Sequence, residues 1–167
     1  TNTYDKDKTK SWDTNYKAVV DLVDYIINTD KKLIQFSSDY VYGKSIQNAS
    51  ENDVPIHQGN WYSYSKVISE PYIELRLKNY LIIRSTHKPR PFAFEKGLVS
   101  QVGNFDYVDV VCPIYKDLIE GGAQGIYNVG TRLKTMYDLG KQTKEDVKPT
   151  NIKFHDTMPL DVSMDLS

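Results

Sequence analysis

Apolar residues recur at three- and four-residue spacing through Trp12, Tyr16, Val19, Val20, Val23, Ile26 and Ile27. That is the period of an amphipathic helix of about four turns. Asn28-Thr29-Asp30 and two lysines close it, and the next run, Leu33-Ile34-Gln35-Phe36-Ser37, is short and apolar between turns, as a buried strand is. Polar residues then dominate from Gly43 to Gly59, which predicts a loop long enough to suggest a functional role. Tyr62 to Asn79 returns to a helical period, with Val67, Ile68, Tyr72, Leu75 and Leu77 available for burial and a kink expected at Pro71. Tyr80-Leu81-Ile82-Ile83 is continuous in apolar character, like a parallel strand buried on both faces. Further on, the pattern predicts a helix near Phe92–Gln101, a strand touching Tyr107–Val110 and a helix over Pro113–Glu120. A strand at Gly125–Val129 and a helix at Thr135–Gln142 follow. Helices alternating with short apolar strands predict an α/β fold built on a mostly parallel sheet.

The composition narrows the function classes. Apolar residues make up 40% of the 167 and charged residues 26%, a globular balance. Lys+Arg at 21 against Asp+Glu at 22 leave a net charge of −1, without the basic excess expected of a protein whose main partner is nucleic acid. No apolar run approaches bilayer length, so a membrane partner is not expected either, and Thr1–Lys10 lacks the apolar core of a signal peptide. The expected location is the cytoplasm. One cysteine, Cys112, excludes an intramolecular disulfide framework and a cysteine-based zinc cluster, and it reads as a small buried residue. His57, His87 and His155 stand too far apart to form a metal motif.

The strongest chemical signal is Tyr62-Ser63-Tyr64-Ser65-Lys66. A tyrosine and a lysine four apart on a helix share one face, and a nearby ammonium favours the phenolate, making the phenol a usable acid or base. Tyrosines are abundant here, 13 in all, so such a pair also arises by chance. Upstream, the strand Leu33–Ser37 runs into Ser37-Ser38-Asp39-Tyr40-Val41-Tyr42-Gly43. A hydroxyl at the carboxyl end of a parallel strand lies where open α/β sheets bind ligands. By position alone Ser37 and Ser38 compete for that role, and either could merely satisfy backbone groups. Arg84 closes a buried strand and needs a partner for its charge. His87-Lys88-Pro89-Arg90 concentrates positive charge in a loop, where an arginine fork matches phosphate oxygens; a solvated basic loop is the plainer alternative.

Taken in order, the strand ending in Ser-Ser-Asp-Tyr-Val-Tyr-Gly, the loop and Tyr-x-x-Ser-Lys with Glu70 beyond it resemble the extended short-chain dehydrogenase/reductase family. Within that family they most resemble the dTDP-4-dehydrorhamnose reductase branch. Gly125-Ile126-Tyr127-Asn128-Val129-Gly130 is similar to the family's late strand and turn. Met158-Pro159-Leu160-Asp161 with Met164-Asp165-Leu166-Ser167 is similar to its closing stretch. The resemblance runs from Trp12 to the last residue.

It implies reduction of a nucleotide-linked 4-keto-6-deoxy sugar by NADPH or NADH. Tyr62 would protonate the carbonyl oxygen, Lys66 would lower its pKa and bind the nicotinamide ribose, and Ser38 would orient the substrate oxygen. Asn15 matches a family asparagine on the cofactor side, though a solvated helix position reads equally well. Asp39, Arg84, Lys88 and Arg90 are candidate substrate contacts with Ser38; no metal is implied, and a homodimer is left open. The related 4,6-dehydratases carry a glutamate where this chain has Tyr40, which disfavours dehydration. Cys112 lies far from the serine segment, which favours simple reduction over cysteine-dependent epimerase chemistry. A nucleotide-sugar epimerase, or a non-catalytic sugar-nucleotide or regulatory binding module of the same fold, is the alternative.

The family holds its cofactor's pyrophosphate on Gly-x-x-Gly-x-x-Gly, and none of the nine glycines here forms that motif. The chain also starts at Thr1 without Met. The expectation is therefore a Rossmann-like doubly wound parallel sheet lacking its first strands and glycine-rich loop, a piece of a longer enzyme. Residues 1–84 would be the second half of the NAD(P)-binding domain, with the catalytic Ser and Tyr-x-x-x-Lys, and residues 85–167 mostly a substrate-binding region.

Overall fold

The computed structural model describes residues 7–153 and 156–167; Thr1 and His155, singled out above, lie outside the described residues. The first predicted helix starts earlier than its apolar pattern. It comprises α1 (Lys8–Trp12), a single π-helical stretch over Asp13–Lys17, and α2 (Ala18–Ile26). Asp7 caps it by accepting from the Lys10 amide. Strand β1 (Leu33–Phe36) leads into a 3-10 turn, Asp39–Tyr42, capped by the Ser38 hydroxyl. Helix α3 (Trp61–Arg76) is capped by Asn60, whose side chain accepts from the Ser63 amide at 2.8 Å, and it continues through Pro71. Pro71 is on the exposed side. Strand β2 (Tyr80–Arg84), helix α4 (Val108–Glu120) and strand β7 (Gly125–Asn128) complete the main layer.

The sheet order is β1-β2-β7, all parallel, with Leu33 opposite Tyr80 and Arg84 opposite Asn128. Alternation along these strands sorts their side chains onto two faces. Leu33 and Ile82 pack with Val19, Val23 and Ile26 of α2 and with Ile73 and Leu77 at the end of α3. Leu81 and Ile83 pack on the other face with Val111 and Tyr115 of α4 and with Val129. A parallel sheet covered by helices on both faces is the predicted α/β, Rossmann-like arrangement.

The middle of the chain departs from the sequence pattern. Phe92–Gln101 is not helical: it contains β4 (Lys96–Leu98), paired with β9 (Lys148–Thr150). Pairing with β9, remote in sequence, holds it extended, and Gly97 passes directly under the start of α5 (Met136–Lys141), where an added Cβ would lie 2.6 Å from the Tyr137 Cα. The Tyr107–Val110 strand shrinks to β6 (Asp106–Tyr107), because Val108 already begins α4, ahead of the predicted start at Pro113. Cys112 is exposed on that helix rather than buried, because Val111 and Tyr115 carry its inward stripe. Strands β3 (His87–Lys88), β5 (Val102–Gly103), β8 (Lys134–Thr135) and β10 (Asp161–Val162) complete the small sheets. Their core is separate: Phe92, Leu98, Phe105, Tyr107, Met136, Leu139, Val147, Met158 and Val162. Among the described residues no helix is long and apolar enough to cross a membrane.

A buried pair fastens this second core. Lys134 Nζ lies 2.6 Å from Asp106 Oδ2, with side-chain exposures of 5% and 8%. Burial pushes the Asp106 carboxyl up, but hydrogen bonds from Lys134, Thr131 and the Tyr107 amide outweigh it and hold it below its ordinary value. A carboxylate depressed in the folded state contributes stability above its unfolded pKa of about 3.9 and loses it as pH falls through the folded value. Urea midpoints measured from pH 6 down to pH 3 should therefore fall more steeply in the native chain than in Asp106→Asn. Parallel profiles would show that the pair carries no such linkage.

Candidate active site

The carboxyl ends of β1 and β2 meet the first two turns of α3, and the residues singled out in the sequence converge there. Lys66 extends from α3 to the end of β1, where its Nζ donates to the Phe36 carbonyl at 2.8 Å. One of three ammonium hydrogens is spent in that bond, leaving two for a ligand. Burial pushes the Lys66 ammonium down from its ordinary pKa, and the Glu70 carboxylate pushes it back up. Tyr62, one turn earlier and half-buried, packs edge-on against Tyr40, ring centroids 6.3 Å apart. Tyr40 in turn donates its amide to Ser38 Oγ at 3.2 Å, so the tyrosine, lysine and serine segments border one another.

The choice between the two serines is made by their partners. Ser37 gives its hydroxyl to Glu70 Oε1 at 2.5 Å, deep behind α3. Ser38 caps the 3-10 turn and donates to Asp39 Oδ1 at 3.2 Å. Of the two, Ser38 is the hydroxyl bonded to the Tyr40 amide, and the Tyr40 ring packs against Tyr62. Asp39 is fully buried; Oδ1 also accepts from Thr86 Oγ1, while Oδ2 has no hydrogen-bond partner among the described residues. Burial raises its pKa, opposed by the Thr86 hydroxyl and by the charge of Lys88. Lys88 is half-buried and is pushed down by its own desolvation, with Asp39 pulling the other way.

Three other predicted residues sit elsewhere. Asn15 is buried behind α3, its amide donating to Ser65 Oγ at 3.2 Å, and Ser65 in turn donates to the Tyr62 carbonyl. It thus touches the helix bearing Tyr62 and Lys66. Arg84 is turned inward onto Glu70, Nη2 to Oε2 at 2.6 Å, with side-chain exposures of 3% and 2%. Arg90 is exposed, pairs with Asp109 at 2.8 Å and lies over the Tyr107 ring. Sequence reasoning missed the Glu70–Arg84 pairing, although both ends were marked: an arginine closing a buried strand and a glutamate one turn past Lys66. Among the described residues no group of three His, Cys, Asp or Glu side chains could hold a metal ion.

A doubly wound parallel sheet with tyrosine and lysine one helical turn apart at its carboxyl edge places the molecule among Rossmann-like reductase and epimerase folds. The model of the NAD dependent epimerase/dehydratase family matches residues 2–87, just over half of the chain, and the chain belongs to that family. No curated protein sequence matches it. Among solved structures it is similar to dTDP-4-dehydrorhamnose reductase from Bacillus anthracis, in complex with NADP. The TM-score is 0.81 at 17% identity, over 99% of this chain and 68% of that one. A hypothetical dTDP-4-dehydrorhamnose reductase from Sulfolobus tokodaii gives 0.78 at 21% identity, over 96% and 65%. UDP-glucuronic acid 4-epimerase from Bacillus cereus, in complex with NAD, gives 0.60 at 19% identity, over 74% and 49%. The chain therefore spans about two thirds of the length of the reductases it matches. At these identities the likeness is one of fold.

Proposed function

We propose that this chain carries the proton-donating and substrate-side part of an NAD(P)H-dependent reductase of nucleotide-linked 4-keto-6-deoxy sugars. The observation that carries the reading is Lys66, held by the Phe36 carbonyl at the end of β1, one turn from Tyr62 and beside the Ser38 segment. That set fits the nicotinamide-ribose end of the cofactor, since Lys66 keeps two donors for ribose hydroxyls. No Gly-x-x-Gly-x-x-Gly cradle occurs within these 167 residues. The bound nicotinamide, NADPH or NADH, supplies the hydride.

The chain's own residues handle the oxygen. The Tyr62 hydroxyl gives its proton to the carbonyl oxygen as that oxygen gains charge, and the Lys66 ammonium stabilises the phenolate left behind. Ser38 turns its hydroxyl from Asp39 to the same oxygen. Lys88 lines the sugar end, and Asp39, fully buried, backs it by holding the Ser38 and Thr86 hydroxyls. Arg90 exchanges its exposed pairing with Asp109, of a kind that contributes little, for the nucleotide diphosphate. Arg84 stays on Glu70 and does not touch substrate. In this reading residues 1–84 form the cofactor-side region and residues 85–167 mostly the substrate-side region.

The second reading is a nucleotide-sugar epimerase, favoured by the family match and by the fold's likeness to an NAD-bound epimerase. One assay separates the two: incubation with NADPH or NADH and a dTDP-4-keto-6-deoxy sugar, following absorbance at the nicotinamide band and the sugar product. Stoichiometric oxidation of the cofactor supports reduction. Conversion of a nucleotide sugar to its epimer without net cofactor oxidation would overturn it in favour of the epimerase.

A further inference from the structure

Glu70 sits on α3 one turn beyond Lys66, and its carboxylate draws three elements together. Oε1 accepts from Ser37 at 2.5 Å, and Oε2 from Arg84 Nη2 at 2.6 Å, with Arg84 Nε 3.2 Å and 3.3 Å from the two oxygens. The other Arg84 nitrogen, Nη1, donates to the Tyr42 hydroxyl and reaches the Glu51 carbonyl at 3.4 Å. Tyr42 lies 3.1 Å from Asn128 Oδ1 and 2.9 Å from the Ser50 carbonyl. Asn128 Nδ2 donates to the carbonyls of Ala49 and Asp165. The carboxyl ends of β1, β2 and β7 are thus tied to the helix carrying Tyr62 and Lys66 by one buried polar chain.

Stability alone is a poor reason for such a pair, because well-packed apolar residues of similar volume often serve as well or better. Its location suggests another purpose. Ser37 is the neighbour of Ser38, and Lys66 is the neighbour of Glu70 by one turn. We propose that Glu70 is a positioning residue, registering the Tyr62–Lys66 helix against the strand end that carries Ser38. Lys66 donates to the Phe36 carbonyl of β1, with Tyr62 one turn before it and Glu70 one turn beyond it on the same helix, the latter paired with Arg84 of β2. Burial disfavours the Lys66 ammonium, and Glu70 is the charge that offsets this.

The inference rests on the reading of Tyr62 and Lys66 as the site, but its test needs neither substrate nor cofactor. The Lys66 side-chain resonances, assigned with Lys66→Arg, are titrated by NMR in the native chain, in Glu70→Gln and in the paired variant Glu70→Met/Arg84→Met. The paired variant removes the carboxylate without leaving a buried charge unmatched, so it carries the test if Glu70→Gln does not fold. The expected result is that the Ser38 amide and the Lys66 side-chain resonances move from their native positions in the folded variants, and that Lys66 titrates at lower pH in Glu70→Gln, where the carboxylate alone is removed. Ser38 amide and Lys66 side-chain resonances coincident with the native ones in the folded paired variant would overturn the proposal. Absence of reductase turnover in the native protein would instead count against the proposed function and leave this result standing.

Discussion

Tyr62→Phe is expected to lower the turnover of NAD(P)H-dependent sugar reduction by about 10²- to 10⁴-fold, the usual contribution of a positioned acid. Phenylalanine keeps the ring that packs edge-on against Tyr40 and leaves the main-chain carbonyl to which Ser65 donates. The change removes one hydroxyl and little else, so folding and cofactor binding should be nearly native. Because the proton is given only as charge develops on the carbonyl oxygen, the loss belongs in kcat, with KM little altered. Steady-state kinetics of both proteins, with cofactor binding followed by nicotinamide fluorescence, checks this. Native turnover in the variant would remove Tyr62 from the mechanism.

Arg84→Met is expected to cost about 3–5 kcal/mol of folding stability, the range seen when one partner of a buried ion pair is deleted. Among the described residues the Glu70 carboxylate would keep the Ser37 hydroxyl as its hydrogen-bond donor and remain buried without a paired cation, and the Tyr42 hydroxyl would lose its donor. Urea unfolding monitored by tryptophan fluorescence measures the loss, and Glu70→Met/Arg84→Met should regain most of it. Both variants carry methionine at position 84, so the space left by the guanidinium is common to them and does not account for the difference. A single variant as stable as the native chain would mean that the pair does not hold the strand ends together.

How far the sequence alone carries can be judged from particular residues. The period of Val19, Val23 and Ile26, the helical pattern after Tyr62, and the continuous run Tyr80–Ile83 are local properties of the chain, and each element they predict is present. Tyr62 and Lys66 are legible for the same reason: four residues make one helical turn wherever the helix packs. The stretch around Gly97 defeats the pattern, because the partner that holds it extended, Lys148–Thr150, is remote in sequence. Cys112 was misread because the inward face of α4 is set by Val111 and Tyr115 against β2, and periodicity through Pro113 does not reveal that register.

The site divides along the same line. By itself the sequence determined that a tyrosine and a lysine would share a helix face, that a serine-rich segment would end a buried strand, and that Arg84 would need a counter-charge. Only the tertiary structure decided that Ser37 turns away to Glu70 while Ser38 borders the tyrosines, and that Arg84 spends its guanidinium inside the molecule. Helix and strand periods are written in neighbouring residues, whereas the partner of a buried polar group is chosen by whichever distant element desolvates it.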